Sequence, residues 1–264
     1  MYSFSVKRPS TVAEAQSALS GGGDSSALAG GQTLLPTMKF RLASPEALVD
    51  LSGVTEMVGI QVAADSVTVG AMTRHADVAG SAEVAAAIPA LASLAGRIGD
   101  PAVRNRGTMG GSVANNDPAA DYPAAVLGLG ATVHTTSRQI AADDFFQGMF
   151  ETALNEGELI TAISFPKPEK AAYAKFPHPA SRYALVGVMV AKTAAGARVA
   201  VTGAGPGVFR ATAIEAALDA NWSPESAGKA SVSANGLNSD MHGSAAYRAH
   251  LISVMAEDAV RAAG

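Results

Sequence analysis

The chain contains no cysteine, and this absence restricts both how it is stabilised and what it can carry. It excludes disulfide bonds, a zinc site with cysteine ligands and an iron–sulfur cluster bound by this chain. It also excludes catalysis by a thiol nucleophile. The fold must therefore be held by a hydrophobic core, and 264 residues, 48% of them hydrophobic, are enough for one or two domains with such a core.

Charge and hydropathy exclude several classes of protein. Charged residues make up 16% of the chain and the formal net charge is -4, which argues against intrinsic disorder and against a basic surface for nucleic acid or anionic lipid. The longest apolar runs, residues 124–133 and 184–191, are shorter than the roughly 20 residues of a membrane span. The N-terminus lacks the apolar region of a secretory signal. We expect a cytoplasmic chain without a membrane span or a nucleic acid partner.

Local patterns predict a mixture of helices and strands. Thr11 and Glu14 have the spacing of a capping box at the start of a helix. Apolar residues recur at helical spacing over residues 81–98, and Pro89 within this stretch predicts two shorter helices. Strands are predicted at residues 4–7, 27–29, 48–51, 67–69 and 159–165.

The sequence changes in character after residue 165. Pro166, Pro168 and Pro177 mark the best candidate for a domain boundary. Beyond it, residues 183–192 and 197–202 are predicted to form antiparallel strands joined at Gly196. Residues 203–207 are predicted to form a turn, and residues 212–220 and 245–263 to form helices.

Two glycine pairs lie beside small hydroxyl or amide residues, and they are the candidate binding elements. The first glycine tract, AGGQT, is residues 29–33 and follows a predicted strand; the second glycine tract, TMGGS, is residues 108–112. Because glycine permits positive φ and a close backbone approach, consecutive amides and nearby hydroxyl groups suit a pyrophosphate. Each tract alone is more typical of an ordinary turn. Neither matches the dinucleotide fingerprint GxGxxG or the P-loop, so a Rossmann fold is disfavoured.

The two tracts together resemble a known family. Residues 29–41 read AGGQTLLPTMKFR, residues 108–123 read TMGGSVANNDPAADYP, and a third stretch runs from YAK at residues 173–175 through SRYALVGV at residues 181–188. These motifs resemble the flavin-binding medium subunit of the molybdenum hydroxylases, a group that includes the aerobic carbon monoxide dehydrogenases, the xanthine dehydrogenases and the aldehyde oxidases. The resemblance extends over essentially the whole chain.

The resemblance implies an α+β fold. Two small α/β subdomains would hold FAD in a cradle of the PCMH or vanillyl-alcohol-oxidase-like type, and a C-terminal antiparallel sheet with helices would follow. The expected FAD-binding domain is residues 1–168, with subdomains at about residues 1–55 and 56–168. Residues 169–264 are expected to form a C-terminal domain of the carbon monoxide dehydrogenase flavoprotein type.

The resemblance also implies particular binding residues, because in this family the two tracts meet around the FAD pyrophosphate. Asp121 matches an acidic position that contacts the cofactor, with ribose or ribityl hydroxyl groups as its partners; a turn or helix cap is the alternative. Tyr183 is expected against the isoalloxazine ring, and a half-buried strand tyrosine is the alternative. Lys175 matches a lysine near the cofactor, although the prolines that follow it depart from the family pattern. The full expected set is Ala29, Gly30, Gly31, Gln32, Thr33, Thr108, Met109, Gly110, Gly111, Ser112, Asp121, Lys175 and Tyr183.

No catalytic residue and no metal ligand is expected in this chain, because its five histidines form no ligand set. The resemblance implies an oxidoreductase subunit that transfers electrons. Two [2Fe–2S] clusters would lie on a small partner subunit and a molybdenum–pterin centre on a large one, in a dimer of heterotrimers, and the FAD of this chain would pass electrons to an external acceptor. The substrate (carbon monoxide, an aldehyde or an N-heterocycle) and the acceptor are left open.

Two alternatives belong to other classes. One is a self-sufficient flavoenzyme of the vanillyl-alcohol-oxidase-like fold, although about 95 residues after the boundary are few for a substrate domain. The other is a ligand-binding or assembly protein without enzymatic activity, in which the glycine tracts are turns.

Overall fold

Three β-sheets follow one another along the chain in a computed structural model that describes residues 1–264. A separate two-stranded hairpin, β8 with β9, completes the β-structure. The strands are β1 (Ser5–Lys7), β2 (Ser25–Leu28), β3 (Ala47–Asp50), β4 (Ile60–Val62), β5 (Ser66–Gly70), β6 (Thr132–Thr135), β7 (Gln139–Ala141), β8 (Phe146–Gly148), β9 (Glu151–Thr152), β10 (Ile160–Pro166), β11 (Lys170–Pro177), β12 (Ala184–Thr193), β13 (Gly196–Thr202) and β14 (Phe209–Arg210).

Twelve α-helices and two short 3-10 helices, Leu51–Gly53 and Thr55–Met57, connect the strands. None of the helices is both long enough and apolar enough to cross a bilayer. The α-helices are α1 (Val12–Ser20), α2 (Leu34–Lys39), α3 (His75–Gly80), α4 (Ala82–Ala87), α5 (Pro89–Gly96), α6 (Pro101–Arg104), α7 (Met109–Asn115), α8 (Tyr122–Gly128), α9 (Ala142–Phe145), α10 (Thr212–Ala220), α11 (Pro224–Lys229) and α12 (Ala245–Ala263).

The N-terminal sheet is parallel, in the order β1-β3-β2. Helix α1 begins where the capping pattern predicts, since the Thr11 hydroxyl accepts a hydrogen bond from the amide of Glu14 at 3.2 Å. The Glu14 carboxylate accepts from the amide of Ser10 at 2.8 Å, which satisfies a further donor at the helix start. The first glycine tract leaves the end of β2 and leads directly into α2.

The second sheet is antiparallel, in the order β4-β5-β10-β6-β7. Helix α4 contacts β4 of this sheet, and α3 and α4 pack against α5. Pro89 begins α5 after Ile88 has left the helical conformation with φ of -141°. The predicted division of this helical stretch is therefore confirmed. Pro89 starts a helix without difficulty because its missing amide proton would have no partner in the first turn.

The second glycine tract begins a helix, although the sequence reads as a glycine-rich loop. Thr108 is the N-cap of α7, and its hydroxyl accepts from the amide of Gly111 at 3.3 Å. Thr108 also forms an antiparallel bridge with Arg74, which precedes α3. The tract is thus fixed at the start of a helix that packs near β5 and β10 of the second sheet.

The third sheet, β11-β12-β13-β14, is antiparallel, and the predicted hairpin of β12 and β13 turns where expected. One face packs against α10, α11 and α12 through residues such as Val188 and Val199. The other face places Met189 and Ala200 in the core of the preceding part of the chain. Because both faces of β12 are buried, its sequence is a continuous apolar run rather than an alternating one. The expected α+β class is confirmed.

Candidate functional site

A cavity of about 670 Å³ lies where the two glycine tracts meet. The contact between the tracts is direct. A Cβ atom added to Gly30 would lie 2.7 Å from Cα of Gly107, and one added to Gly111 would lie 3.3 Å from Cβ of Ala29. The cavity is within the size range of cofactor sites. The expected site residues that line it are Ala29, Gly30, Gly31, Gln32, Thr33, Thr108, Gly110, Gly111, Ser112, Asp121 and Tyr183.

The first glycine tract presents free backbone donors to this cavity. The amides of residues 30–33 have no hydrogen-bond acceptor within the protein. The carbonyl groups of Gly31 and Thr33 accept from the amides of Leu35 and Thr37, so the tract is joined to the first turns of α2. The left-handed conformation of Gly31, with φ of 70°, turns the chain from β2 into this helix. Unpaired amides just before a helix are suited to bind an anion.

The second glycine tract contributes a rigid wall rather than free donors. Its amides already have acceptors: Met109 donates to Thr73, Gly110 to Ala71, Gly111 to the Thr108 hydroxyl and Ser112 to the Thr108 carbonyl. A Cβ atom at Gly110 would lie 2.9 Å from Cα of Ala71, so only glycine permits this close packing. The side chain of Met109 is fully buried in the core and does not line the cavity. The groups that this tract offers to a ligand are the hydroxyls of Thr108 and Ser112.

Asp121 lies on the cavity wall and is held by residues of the third sheet. Its Oδ1 accepts from the hydroxyl of Tyr173 at 2.5 Å, and its Oδ2 from Nζ of Lys175 at 2.9 Å. Burial raises the pKa of Asp121, while the Lys175 charge opposes this shift. Asp121 occupies the N-cap position of α8, but its side chain makes no capping hydrogen bond there. Lys175 does not line the cavity, and its ammonium group contacts Asp121 and the carbonyl of Arg97.

Tyr183 lies at the cavity rim, immediately before β12. Half of its surface, 51%, is exposed, and burial of the rest together with the charges of Asp117 and Asp121 raises the pKa of its hydroxyl. The tyrosine is therefore neutral at physiological pH, and its ring is free to contact a planar ligand in the cavity.

His75 lines the cavity but had no distinguishing pattern in the sequence, where it is an isolated histidine after β5. It is 4% exposed, and burial together with the Arg104 charge lowers its pKa to about 4. The ring is therefore neutral, and it packs against Tyr122 with the ring centroids 5.2 Å apart. His75 is the first residue of α3, and its amide donates to the carbonyl of Gly107 at 3.0 Å, so tertiary packing and not a sequence pattern brings it to the cavity.

The charges around the cavity are mainly acidic. Asp100, Asp117 and Asp121 line it, and Arg182 is the one arginine or lysine that does so. Arg104 donates to the carbonyl of Ile98 at 2.9 Å, and Arg106 is exposed. An anionic group of a ligand would thus be bound by the backbone amides of the first glycine tract. The aspartate carboxylates on the cavity wall are suited to accept hydrogen bonds from hydroxyl groups of the ligand. No cluster of three or more metal-ligating side chains is present. A dinucleotide such as FAD, with a diphosphate between two polyhydroxylated parts, fits this distribution.

Comparison with known proteins agrees with the geometry. Residues 2–168 match the family model of the FAD binding domain in molybdopterin dehydrogenase, and residues 171–263 match that of the CO dehydrogenase flavoprotein C-terminal domain. The chain is 36% identical over 270 residues to the nicotine 6-hydroxylase medium subunit of Paenarthrobacter nicotinovorans, covering 97% of this chain and 95% of the relative. It is 40% identical over 204 residues to the carbon monoxide dehydrogenase medium chain of Afipia carboxidovorans, covering 74% and 71%.

Solved structures show the same fold. Reconstituted CO dehydrogenase from Oligotropha carboxidovorans contains a chain with a TM-score of 0.91 and 34% identity, covering 99% of this chain and 98% of that one. Quinoline 2-oxidoreductase from Pseudomonas putida 86 gives a TM-score of 0.89 at 30% identity, covering 99% and 97%. The resemblance found in the two tracts is confirmed: this chain belongs to the family of FAD-binding medium subunits of the molybdenum hydroxylases.

Proposed function

We propose that this chain is the electron-transfer subunit of a multisubunit molybdenum hydroxylase and that it carries FAD in the cavity between the glycine tracts. The observation that supports this most strongly is the run of free amides at residues 30–33, which faces a cavity closed by the second tract. Bound FAD supplies a redox group that accepts and releases electrons singly or in pairs. The family membership makes an oxidoreductase subunit the appropriate class.

Each part of the cavity has a separate task in this proposal. The amides of residues 30–33 bind the diphosphate, and the hydroxyls of Thr33, Thr108 and Ser112 add donors. Asp121 accepts from hydroxyl groups of the ribose or ribityl chain, since each of its oxygens keeps a lone pair beyond its bond to Tyr173 or Lys175. Tyr183 packs against one face of the isoalloxazine ring and excludes water from it.

The electrons must come from another chain. Because this sequence has no cysteine, the [2Fe–2S] clusters that we propose as donors are bound by a small partner subunit. A large subunit carries the molybdenum–pterin centre where the substrate is oxidised, and two such heterotrimers form the complex. The names of the relatives, medium chain and medium subunit, support an assembly of this kind.

An apolar surface beside the first tract offers a site for the small subunit. Phe40 and Leu42, which follow α2, are 78% and 80% exposed. Arg41 between them adopts a left-handed conformation, with φ of 61°, and its guanidinium lies 5.4 Å from the centroid of the exposed Tyr2 ring. Large apolar side chains exposed together in this way are typical of subunit interfaces.

Reconstitution of the purified chain tests the proposal. We expect one FAD per chain, and we expect Gly30→Ala to abolish binding because its Cβ collides with the backbone at Arg106 and Gly107. Gly80→Ala is the matched control, since a Cβ at this last position of α3 meets nothing within 4 Å. Equal FAD binding by both variants would contradict the cavity assignment.

Isolation from native cells tests the assembly. We expect this chain to copurify with an iron–sulfur subunit and a molybdenum subunit, and its FAD to be reduced by substrate only within that complex. Complete substrate turnover by the isolated chain would favour the self-sufficient flavoenzyme. The cytoplasmic location stays a prediction, which cell fractionation would check. The domain boundary between residues 168 and 169 and the subdomain boundary near residue 55 also stay predictions, and expression of residues 1–168 would check the first of them.

A further inference from the structure

One wall of the cavity is a loop that connects β11 to β12. Residues 180–183 of this loop line the cavity, and Tyr183 is the last of them. The loop is closed on itself, because the amide of His178 donates to the carbonyl of Tyr183 and the amide of Arg182 donates to the carbonyl of His178, both at 2.8 Å. Arg182 adopts a left-handed conformation, with φ of 61°. The position of Tyr183 therefore depends on how His178 is held.

The imidazole of His178 has a defined hydrogen-bonding state. Its Nδ1 accepts from the amides of Ala180 at 3.2 Å and Ser181 at 3.3 Å, so the ring proton is on Nε2. Nε2 lies 3.2 Å from Nδ1 of His242, which must then be unprotonated and accept this proton. The same assignment argues against a metal ion between the rings, because the Nε2 lone pair of His178 is not free.

His242 belongs to a segment that is anchored to the third sheet. Asp240 accepts from the amide of His242 at 2.8 Å, and both of its carboxylate oxygens accept from Nη2 of Arg248. Arg248 is 3% exposed and donates to the carbonyls of Leu185 and Gly203. His242 is therefore the fixed partner of the pair, and His178 is the partner on the cavity wall.

We propose that His178 and His242 are positioning residues that hold the loop of residues 178–183, and Tyr183 with it, against the flavin while both imidazoles are neutral. The proposal rests on the proposed function for the identity of the ligand. A second proton on His178 would occupy Nδ1 and oppose two amide N–H groups. A second proton on His242 would occupy Nδ1 and oppose the Nε2–H of His178. Either event replaces a hydrogen bond with two facing donors.

The first experiment requires no FAD. Long-range ¹H–¹⁵N spectra of histidine side chains in the apo-protein at about pH 8 should show both rings protonated on Nε2 alone, with His178→Phe and His242→Phe used for assignment. In the same state, His242→Phe should increase the rate of tryptic cleavage after Arg182, and His250→Phe, an exposed histidine on α12, should not. A proton on Nδ1 of either ring, or unchanged cleavage in His242→Phe, would overturn the proposal.

The second experiment uses the FAD-bound protein. Loss of one hydrogen bond, about 0.5–1.5 kcal/mol, corresponds to an increase of about two- to tenfold in the rate of FAD release. We expect this increase in His242→Phe relative to the wild type at the same pH, and we expect no increase in His250→Phe. A wild-type rate of FAD release in His242→Phe would refute the positioning role, whereas a wild type that binds no FAD would refute the proposed function and leave the first experiment decisive for the histidine pair.

Discussion

The ion pair between Lys175 and Asp121 allows a quantitative prediction, because both side chains are almost completely buried. Their side chains are 2% and 5% exposed, and Nζ lies 2.9 Å from Oδ2. Lys175→Met keeps most of the apolar volume and removes the charge. The carboxylate of Asp121 then keeps only the hydroxyl of Tyr173 as a donor from this group. Breaking a buried pair in this way is expected to lower the free energy of unfolding by about 3–5 kcal/mol.

The destabilisation should depend on pH in a specific direction. Burial already raises the pKa of Asp121 above its ordinary value of 3.8, and Lys175 opposes that shift, so removing Lys175 raises the pKa further. A carboxyl group with a raised pKa in the folded state contributes stability at low pH and loses it as the pH rises through that pKa. Lys175→Met should therefore be closest to the wild type at low pH, where the carboxyl group of Asp121 is protonated, and most destabilised near about pH 8, where it is a buried charge without its partner.

Urea unfolding of the FAD-free protein, followed by circular dichroism at several pH values, measures this effect. The double variant Lys175→Met with Asp121→Asn should recover most of the lost stability, because no buried charge remains. Lys192→Met is the matched control on the neighbouring strand, where the pair with Glu169 is 45% and 56% exposed and contributes at most about 1 kcal/mol. Equal destabilisation of the single and double variants at every pH would refute the electrostatic reasoning.

Three further predictions concern the ring contact, the acid response and the partner surface. Tyr183→Ala should retain FAD but increase its fluorescence, because an aromatic ring against the flavin quenches emission; unchanged fluorescence would place the ring elsewhere. The hydrogen bond from Arg138 is the main cause that lowers the pKa of Glu158 from 4.5 to about 2, so the wild type should lose stability as the pH falls through this interval. In Glu158→Gln the thermal unfolding midpoint should depend less on pH over the same interval. Phe40→Ser with Leu42→Ser should reduce copurification with the iron–sulfur subunit while FAD content stays constant.

Much of the fold was predictable because its signals are local. Capping residues, the proline at the start of α5 and the strands of the β12–β13 hairpin each act within a few residues. Helix α8 has no such signal, because all seven of its residues are buried and no amphipathic period exists. Strand β11 is rich in alanine and lysine, which favour strands weakly, and it is stabilised by its pairing with β12.

The candidate site was predictable where glycine is required and less so where distant residues meet. The glycine pairs identify both tracts, since close backbone contacts leave no space for a Cβ. Asp121 and Lys175 were each expected near the cofactor, but their mutual contact joins residues 54 positions apart and is a property of tertiary structure. His75 and the His178–His242 pair have no spacing pattern, so only the packing of separate elements reveals them.

The two tracts have similar compositions but different physical roles, and this difference explains how an acidic chain can bind a diphosphate. In the second tract the amides of residues 109–112 are already paired, so its backbone is fixed before any ligand arrives. In the first tract the amides of residues 30–33 are unpaired, and the carbonyls of Gly31 and Thr33 connect the tract to α2. A rigid wall thus faces a set of oriented donors, and little conformational entropy remains to be lost on binding. Oriented neutral dipoles provide the attraction that arginines supply in other phosphate sites, which allows carboxylates such as Asp121 to lie in the same cavity.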